Sequence, residues 1–159
     1  MSDNNNTAGL TASEPFSVRI PIAESQESCS LQTLDANTVQ RIWFKTTPVD
    51  RSFCRRVAQL QLCTDSYDQG WADNPGAGSW SWFEVCILAN SEATQPKVQG
   101  NKTLSWTSHH NRVGVGRTSR YFGVVFDLHS PLLNSLEVRG SIAKYLHHSH
   151  LGHHHDLAW

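Results

Sequence analysis

Short runs of alternating apolar and polar residues dominate the chain and predict β-strands. A period of two along such a run is typical of a strand with one buried face. Polar stretches rich in Gly, Pro and Asn separate seven runs of this kind, at residues 16–22, 39–46, 58–62, 80–88, 104–110, 121–128 and 136–145. Because helices do not alternate with these strands, we predict an all-β fold, an antiparallel jelly-roll-like β-sandwich of seven or eight strands.

The phase of each run assigns side chains to the two faces of its strand. In 80–88, one face receives Phe83, Val85 and Ile87, and the other receives Trp80, Trp82, Glu84, Cys86 and Leu88. In 39–46, Ile42 and Phe44 share a face that excludes Trp43, and in 121–128 Phe122, Val124, Phe126 and Leu128 are in phase. Thr64, Asp65 and Ser66 are turn formers and should end the third strand. Weak helical signals occur only at 31–39 and 131–136.

The length of 159 residues fits one domain. We expect a loose arm at residues 1–14, the β-sandwich at 15–146 and a His-rich tail at 147–159. The formal net charge is −1, from 13 Lys and Arg against 14 Asp and Glu, which argues against binding to nucleic acid through its phosphates. No apolar run approaches the ~20 residues of a membrane span, so we predict no membrane span.

The cysteines and the N-terminal segment bear on the compartment. Residues 1–15 are polar and small, without the basic and apolar regions of a secretory signal, so we expect a cytoplasmic protein. Its four cysteines, Cys29, Cys54, Cys63 and Cys86, show no C-x-x-C spacing. We expect free, buried thiols, because the cytosol keeps thiols reduced, and two disulfides remain the alternative if another route exports the chain.

The most unusual segment is the loop and strand at residues 65–84. Flat aromatic rings stack on sugar rings, and acid and amide side chains bind hydroxyl groups, so this loop predicts a carbohydrate site. The candidate ligand-binding residues are Asp65, Asp68, Trp71, Asp73, Asn74 and Trp80, with Trp71 or Trp80 stacking. The alternative is structural: the Trp residues pack in the core, and Asp68 caps the loop by bonding to the backbone.

Two motifs in this segment carry a resemblance. Asp68-Gln69-Gly70-Trp71 followed by Ser81-Trp82-Phe83-Glu84, within a match over about residues 39–140, resembles an uncharacterised β-rich domain of fungal proteins. The resemblance implies a cytosolic β-rich fold of fungal origin, no established activity, and a role of these motif residues in the fold. A looser likeness, of architecture alone, is to galactose-binding jelly-roll modules and plant phloem lectins.

The C-terminal tail concentrates histidines, with six of the nine in the chain between His147 and His155. Imidazole is a common ligand of Zn and Ni, so the tail predicts metal binding, either adventitious or evolved, and we expect no required cofactor. The candidate metal ligands are His150, His153, His154 and His155.

Sequence patterns for catalysis are weak. His109, His110, Asp127 and Glu137 could form an acid–base set, but surface histidines are the simpler interpretation, and no G-x-S-x-G motif occurs. We therefore predict a non-enzymatic, lectin-like module with a glycan ligand. A homo-oligomer would follow, because avidity requires linked sites. The alternatives are a protein-interaction or assembly module that uses exposed Trp and a jelly-roll hydrolase.

Overall fold

The structure, a computed structural model, describes residues 20–32, 38–67, 79–112 and 117–148, with only the backbone of 147 and 148. Antiparallel strands are the main regular structure in this part of the chain, which confirms the all-β class. In chain order the elements are β1 (Val39–Lys45), α1 (Arg51–Arg56), β2 (Gln59–Ser66), β3 (Ser81–Leu88), β4 (Val98–Gln99), β5 (Lys102–Thr103), β6 (Ser105–His110), β7 (Ser119–Asp127), α2 (Pro131–Asn134) and β8 (Ser141–His148). The jelly-roll topology stays a prediction.

Three sheets contain these strands. The largest has four strands in the order β1-β8-β3-β6, so β8, the last described strand, lies at its centre beside β3. The strands β2 and β7 form a separate antiparallel pair, which we call the β2–β7 ribbon. A small β4–β5 hairpin makes the third sheet.

The core lies on one face of the four-stranded sheet, because alternate residues of its central strands point there. Phe83 and Val85 of β3 and Ile142 and Leu146 of β8 belong to the main buried cluster. The opposite face carries a smaller cluster with Cys86, Leu88, Ala143 and Tyr145. The predicted division of β3 into two faces is therefore confirmed for these residues.

The backbone of β7 packs closely against side chains of β6 where the β2–β7 ribbon meets the large sheet. A Cβ at Gly123 of β7 would lie 1.8 Å from Ser108 Oγ and 2.9 Å from His109 Nδ1, both on β6. Only glycine leaves room for these side chains. Position 123 therefore requires glycine for packing rather than for an unusual backbone conformation.

Local irregularities overturn the predicted faces of β1 and β7. The register of β1 shifts between Ile42 and Phe44, so Trp43 and Phe44 both pack on the main cluster and do not alternate. In β7, Phe126 is buried, but Phe122, Val124 and Leu128 are exposed, and the pairing of the ribbon shifts between Gln61 and Cys63. A β-bulge shifts the following side chains to the other face of the strand. A prediction based on regular alternation cannot anticipate this shift.

Two strand boundaries and one helix also differ from the predictions. β2 runs through Thr64, Asp65 and Ser66, where a turn was expected, because these residues pair with β7, and the hydroxyls of Thr64 and Ser66 bond to each other, to His109 and to Asn111. The expected strand over 136–145 begins only at Ser141, after the short helix α2 that the signal at 131–136 predicted. The helix α1 was not predicted, although Asp50 caps it by accepting a bond from Phe53 N.

The first predicted strand, 16–22, lies mostly outside the described residues, and its described residues, 20–22, form no strand. All four cysteines are free thiols, as expected, although only Cys86 is buried and Cys63 is exposed. Among the described residues, no helix has the length and apolar character that crossing a membrane requires.

Candidate functional site

The structure describes two of the six predicted ligand-binding residues. Asp65 is the penultimate residue of β2, and Trp80 directly precedes β3. Asp68, Trp71, Asp73 and Asn74 lie outside the described residues, as do the tail histidines His150, His153, His154 and His155. Asp65 and Trp80 therefore stand near the two ends of the connection that was predicted to bind sugar.

Asp65 is engaged in an exposed ion pair. Its two carboxylate oxygens accept bonds from Arg120 of β7, from Nε at 2.9 Å and from Nη2 at 2.7 Å. The register of the ribbon sets this pair, because Asp65 and Arg120 lie directly opposite each other. The hydrogen bonds from Arg120 lower the pKa of Asp65, so the carboxylate stays ionised at neutral pH.

The four described tryptophans, Trp43, Trp80, Trp82 and Trp106, are half-buried, and none of them is fully exposed. Trp43 donates its indole N–H to the carbonyl oxygen of Glu27 at 2.8 Å, and Trp82 donates to Glu84 Oε1 at 3.1 Å. Trp106 packs on the main cluster. In this part of the chain, an interaction surface that relies on exposed Trp therefore has no anchor.

A group of exposed apolar side chains lies on the solvent side of the β2–β7 ribbon. We call this side the outer face and define it by Cys63 and Asp65 of β2 and Arg120, Phe122 and Val124 of β7. Phe122 is 59% exposed and Val124 is 49% exposed, and the neighbouring Val125, Tyr67 and Leu128 are also exposed. Phe122 lies opposite Cys63, one step along the same face from the Asp65–Arg120 pair. The outer face thus combines an apolar strip with one acid and one base.

The other side of the ribbon, which we call the inner face, is polar near Ser66. Thr64 and Ser66 are only 4% and 7% exposed, and their hydroxyl oxygens lie 3.1 Å apart. Ser66 Oγ donates to Asn111 Oδ1 at 2.7 Å, and Asn111 Nδ2 donates to Ser81 Oγ at 2.9 Å. This chain of hydrogen bonds satisfies polar groups that burial would otherwise leave unpaired.

His109 of β6 joins this network. Its Nε2 lies 2.9 Å from Thr64 Oγ1 and its Nδ1 lies 3.0 Å from Ser108 Oγ, while its ring contacts Phe83 and stacks on Tyr121. Burial, and then the positive charges of Lys144 and His110, lower the pKa of His109 to about 4. The imidazole is therefore neutral at physiological pH and serves as a hydrogen-bonding group between the sheets.

The proposed acid–base set does not assemble. His109 bonds to hydroxyl groups, Asp127 accepts from the backbone N–H of His129 in its own turn, and Glu137 pairs with Lys97. The side chains that contact His109 through hydrogen bonds, Thr64 and Ser108, are both buried. The described geometry thus supports a structural role for His109.

Lys144 of β8 is the residue that sequence reasoning missed. It lies on the core face between Ile142 and Leu146 and is 3% exposed. Its Nζ lies 3.2 Å from the ring centroid of Trp43 and 4.5 Å from that of Phe83. No ion pair among the described residues includes it. Burial lowers its pKa to about 7, although the nearby Cys29 acts in the opposite direction.

Alternation in β8 could have indicated Lys144. The run Ile142-Ala143-Lys144-Tyr145-Leu146 places Lys144 in phase with two core aliphatic residues. A lysine in this phase either interrupts the alternation of the strand or is buried against aromatic rings, and Lys144 is buried in this way. Its burial against these rings makes it part of the core face rather than of an open site.

Within the described residues, no group of three or more His, Cys, Asp or Glu side chains is placed to hold a metal ion. Comparison of the chain with protein-family models, curated proteins and solved structures found no match. The candidate function therefore rests on the residues themselves, and above all on the outer face of the ribbon.

Proposed function

We propose that this chain is a non-enzymatic interaction module that binds a partner protein through the outer face of the β2–β7 ribbon. The observation that carries the proposal is the exposed apolar strip of the outer face: Phe122 and Val124 remain in solvent, although Thr64 and Ser66 on the inner face are buried. A half-exposed strand pair ordinarily turns its apolar side chains inward. Covering this exposed apolar strip with a partner would therefore be favourable in free energy.

The chemistry of the outer face favours a protein as the partner. Aliphatic side chains such as Val124 and Val125 offer no hydrogen bonds to a small polar ligand, but they pack well in protein interfaces. Phe122 supplies the aromatic anchor that such interfaces often contain. The Asp65–Arg120 pair adds polar contacts beside this apolar centre.

Photo-crosslinking tests this proposal. Benzoylphenylalanine replaces Phe122 in the full chain, and as a matched control it replaces Val98, which is 61% exposed on the β4–β5 hairpin. We expect a discrete protein adduct from position 122 on irradiation in cells, no such adduct from position 98, and loss of the adduct when Val124→Asp is added. Equal adducts from both positions, or none from position 122, would overturn the proposal.

Carbohydrate recognition is a second candidate function. It is supported by the place of Asp65 and Trp80 near the two ends of the connection between β2 and β3, and by the ionised carboxylate of Asp65. In this proposal Trp80 or Trp71 stacks on a sugar ring, and Asp68, Asp73 and Asn74 bind its hydroxyls.

A glycan array with the full chain tests the second candidate. We expect binding that Trp71→Ala and Trp80→Ala abolish without unfolding the chain, whereas Trp106→Ala, which loses a core contact, should lower stability. An array without a binder at high protein concentration would rule out the carbohydrate proposal.

A further inference from the structure

The outer face of the ribbon is complementary to itself, and we infer that the partner it binds is a second copy of this chain. This inference rests on the proposed function and names the partner of the same surface. The face carries one acid, Asp65, and one base, Arg120, so its charges cancel. A surface of this kind does not select a strongly charged partner, but it can match its own image.

The register of the ribbon shows how two copies would fit. Asp65 lies opposite Arg120, and Cys63 lies opposite Phe122, so the face has two rows of unlike residues. Two sheet faces pack about 10 Å apart. A twofold axis between them, parallel to the strands, exchanges β2 and β7 across the interface. It places Asp65 against Arg120 of the second copy and Cys63 against Phe122 of the second copy.

The Asp65–Arg120 ion pair leaves hydrogen-bond donors and acceptors that can contact the second copy. Arg120 uses Nε and Nη2 toward its own Asp65, and a guanidinium has five N–H donors, so further donors remain. A carboxylate accepts about four hydrogen bonds. Each carboxylate can therefore lie between two guanidinium groups, which alternates the four charges around the axis.

The apolar strip provides the reason for association. In this arrangement Phe122 would be covered by the exposed thiol of Cys63 and would lie diagonally across the axis from Phe122 of the second copy. Burial of apolar area drives most protein association, and the charge pattern sets the register. The interface would thus cover apolar surface that the outer face leaves in solvent.

Sedimentation analysis of the purified full chain with a charge-swap series tests the inference. Asp65→Arg makes every charge at the axis positive, Arg120→Asp makes every charge negative, and the double variant restores alternation. All three changes lie on the surface, so the fold should persist, which circular dichroism checks. Measurements should span about 1 to 300 µM, where interfaces of modest strength dissociate.

We expect the wild-type chain and the double variant to dimerise with similar dissociation constants. Each single variant should raise the dissociation constant at least about tenfold, because like charges then face each other. Val98→Asp, the control on the hairpin, should leave the constant unchanged.

A wild-type chain that stays monomeric throughout, or a dimer that all three variants leave unchanged, would overturn the inference. The crosslinking result then separates the two proposals. An adduct between position 122 and a different protein, with a monomeric purified chain, would retain the interaction module and remove the second copy as its partner. No adduct and no dimer would remove both.

Discussion

The two faces of the β2–β7 ribbon depart from the usual division of polar and apolar residues only near Ser66. Elsewhere the inner face buries Leu62 and Phe126 in the main cluster. Near Ser66 it buries the hydroxyls of Thr64, which bonds to His109, and of Ser66, which bonds to Asn111 just after β6. The outer face leaves Phe122 and Val124 in solvent, so at this end of the ribbon hydrogen-bonded hydroxyls are buried while apolar side chains stay exposed.

The free energies of hydrogen bonding and of apolar burial show what the difference between the two faces implies. A satisfied intramolecular hydrogen bond contributes about 1 kcal/mol to stability, so the inner face is stable but gains little from each bond. Full burial of a Phe or Val side chain contributes about 1.5–3 kcal/mol. The outer face forgoes this gain in the isolated chain, and a partner that covers it can recover part of that energy.

The largest expected effect on the free energy of unfolding comes from a substitution that disrupts packing on the inner face. In Gly123→Ala the new Cβ would fall 1.8 Å from Ser108 Oγ and 3.2 Å from the carbonyl oxygen of Leu62, so the buried Ser108 side chain or the strands must shift. We expect the free energy of unfolding to fall by about 3 kcal/mol, the scale of overpacking in a core. Urea denaturation measures this change.

The matched control is Val124→Ala on the outer face, one residue away. Because Val124 is exposed, this change should lower the free energy of unfolding by less than about 0.5 kcal/mol. Equal losses in the two variants would contradict the contrast between the faces.

Lys144 sharpens the comparison, because aromatic rings rather than a network of hydroxyls surround this buried polar group. Its folded pKa of about 7 lies below the ordinary value of 10.5, so the unfolded chain binds more protons between these values. Stability linked to Lys144 should therefore rise as pH increases from about 7 toward 10.5. Lys144→Met should remove this rise and raise the free energy of unfolding at pH 7 by about 2 kcal/mol.

Denaturation curves between pH 7 and 10 measure the Lys144 effect. Lys102→Met, at an exposed position of β5, is the control and should leave the slope with pH unchanged. A variant Lys144→Met that keeps the wild-type slope would show that the lysine does not titrate in the core.

A smaller effect is expected from His109 on the inner side of the ribbon. Its folded pKa of about 4 lies below the unfolded value of 6.5, so the folded state excludes a proton that the unfolded chain binds. The contribution of His109 to stability should fall as pH decreases from 6.5 toward 4. His109→Gln keeps hydrogen-bonding atoms and should flatten this part of the pH profile.

The exposed His129 provides the comparison for this measurement, as His129→Gln. The two variants should differ in the slope of unfolding free energy between pH 4 and 6.5. If His109→Gln keeps the wild-type slope, the ring is protonated in the fold and the account of the inner face is wrong.

Period-two alternation predicted the class of the fold and the two faces of β3, because a strand buried along its length has a regular pattern. It failed where long-range pairing shifts a register, as between Ile42 and Phe44 of β1. It also failed at Ser66, a residue that favours turns in isolation but bonds to Asn111, which directly follows the distant strand β6. Neither contact can be read from local sequence.

The candidate site could be predicted only in part. Asp65 was named from its loop, but its partner Arg120 lies 55 positions later and meets it through strand pairing. Phe122 was expected to share a face with Phe126, and the register shift of the ribbon separates them. The surface that carries the proposed function therefore arises from an irregularity of the strand pair.

Alkylation of Cys63 tests most directly whether the outer face is covered by a second copy. Cys63 is the one cysteine of the four that is exposed, and it lies opposite Phe122 on the ribbon. We predict that its alkylation rate falls as the concentration of the full chain rises, and that Phe122→Asp removes this protection. A rate that is independent of concentration and equal in the two proteins would contradict the account.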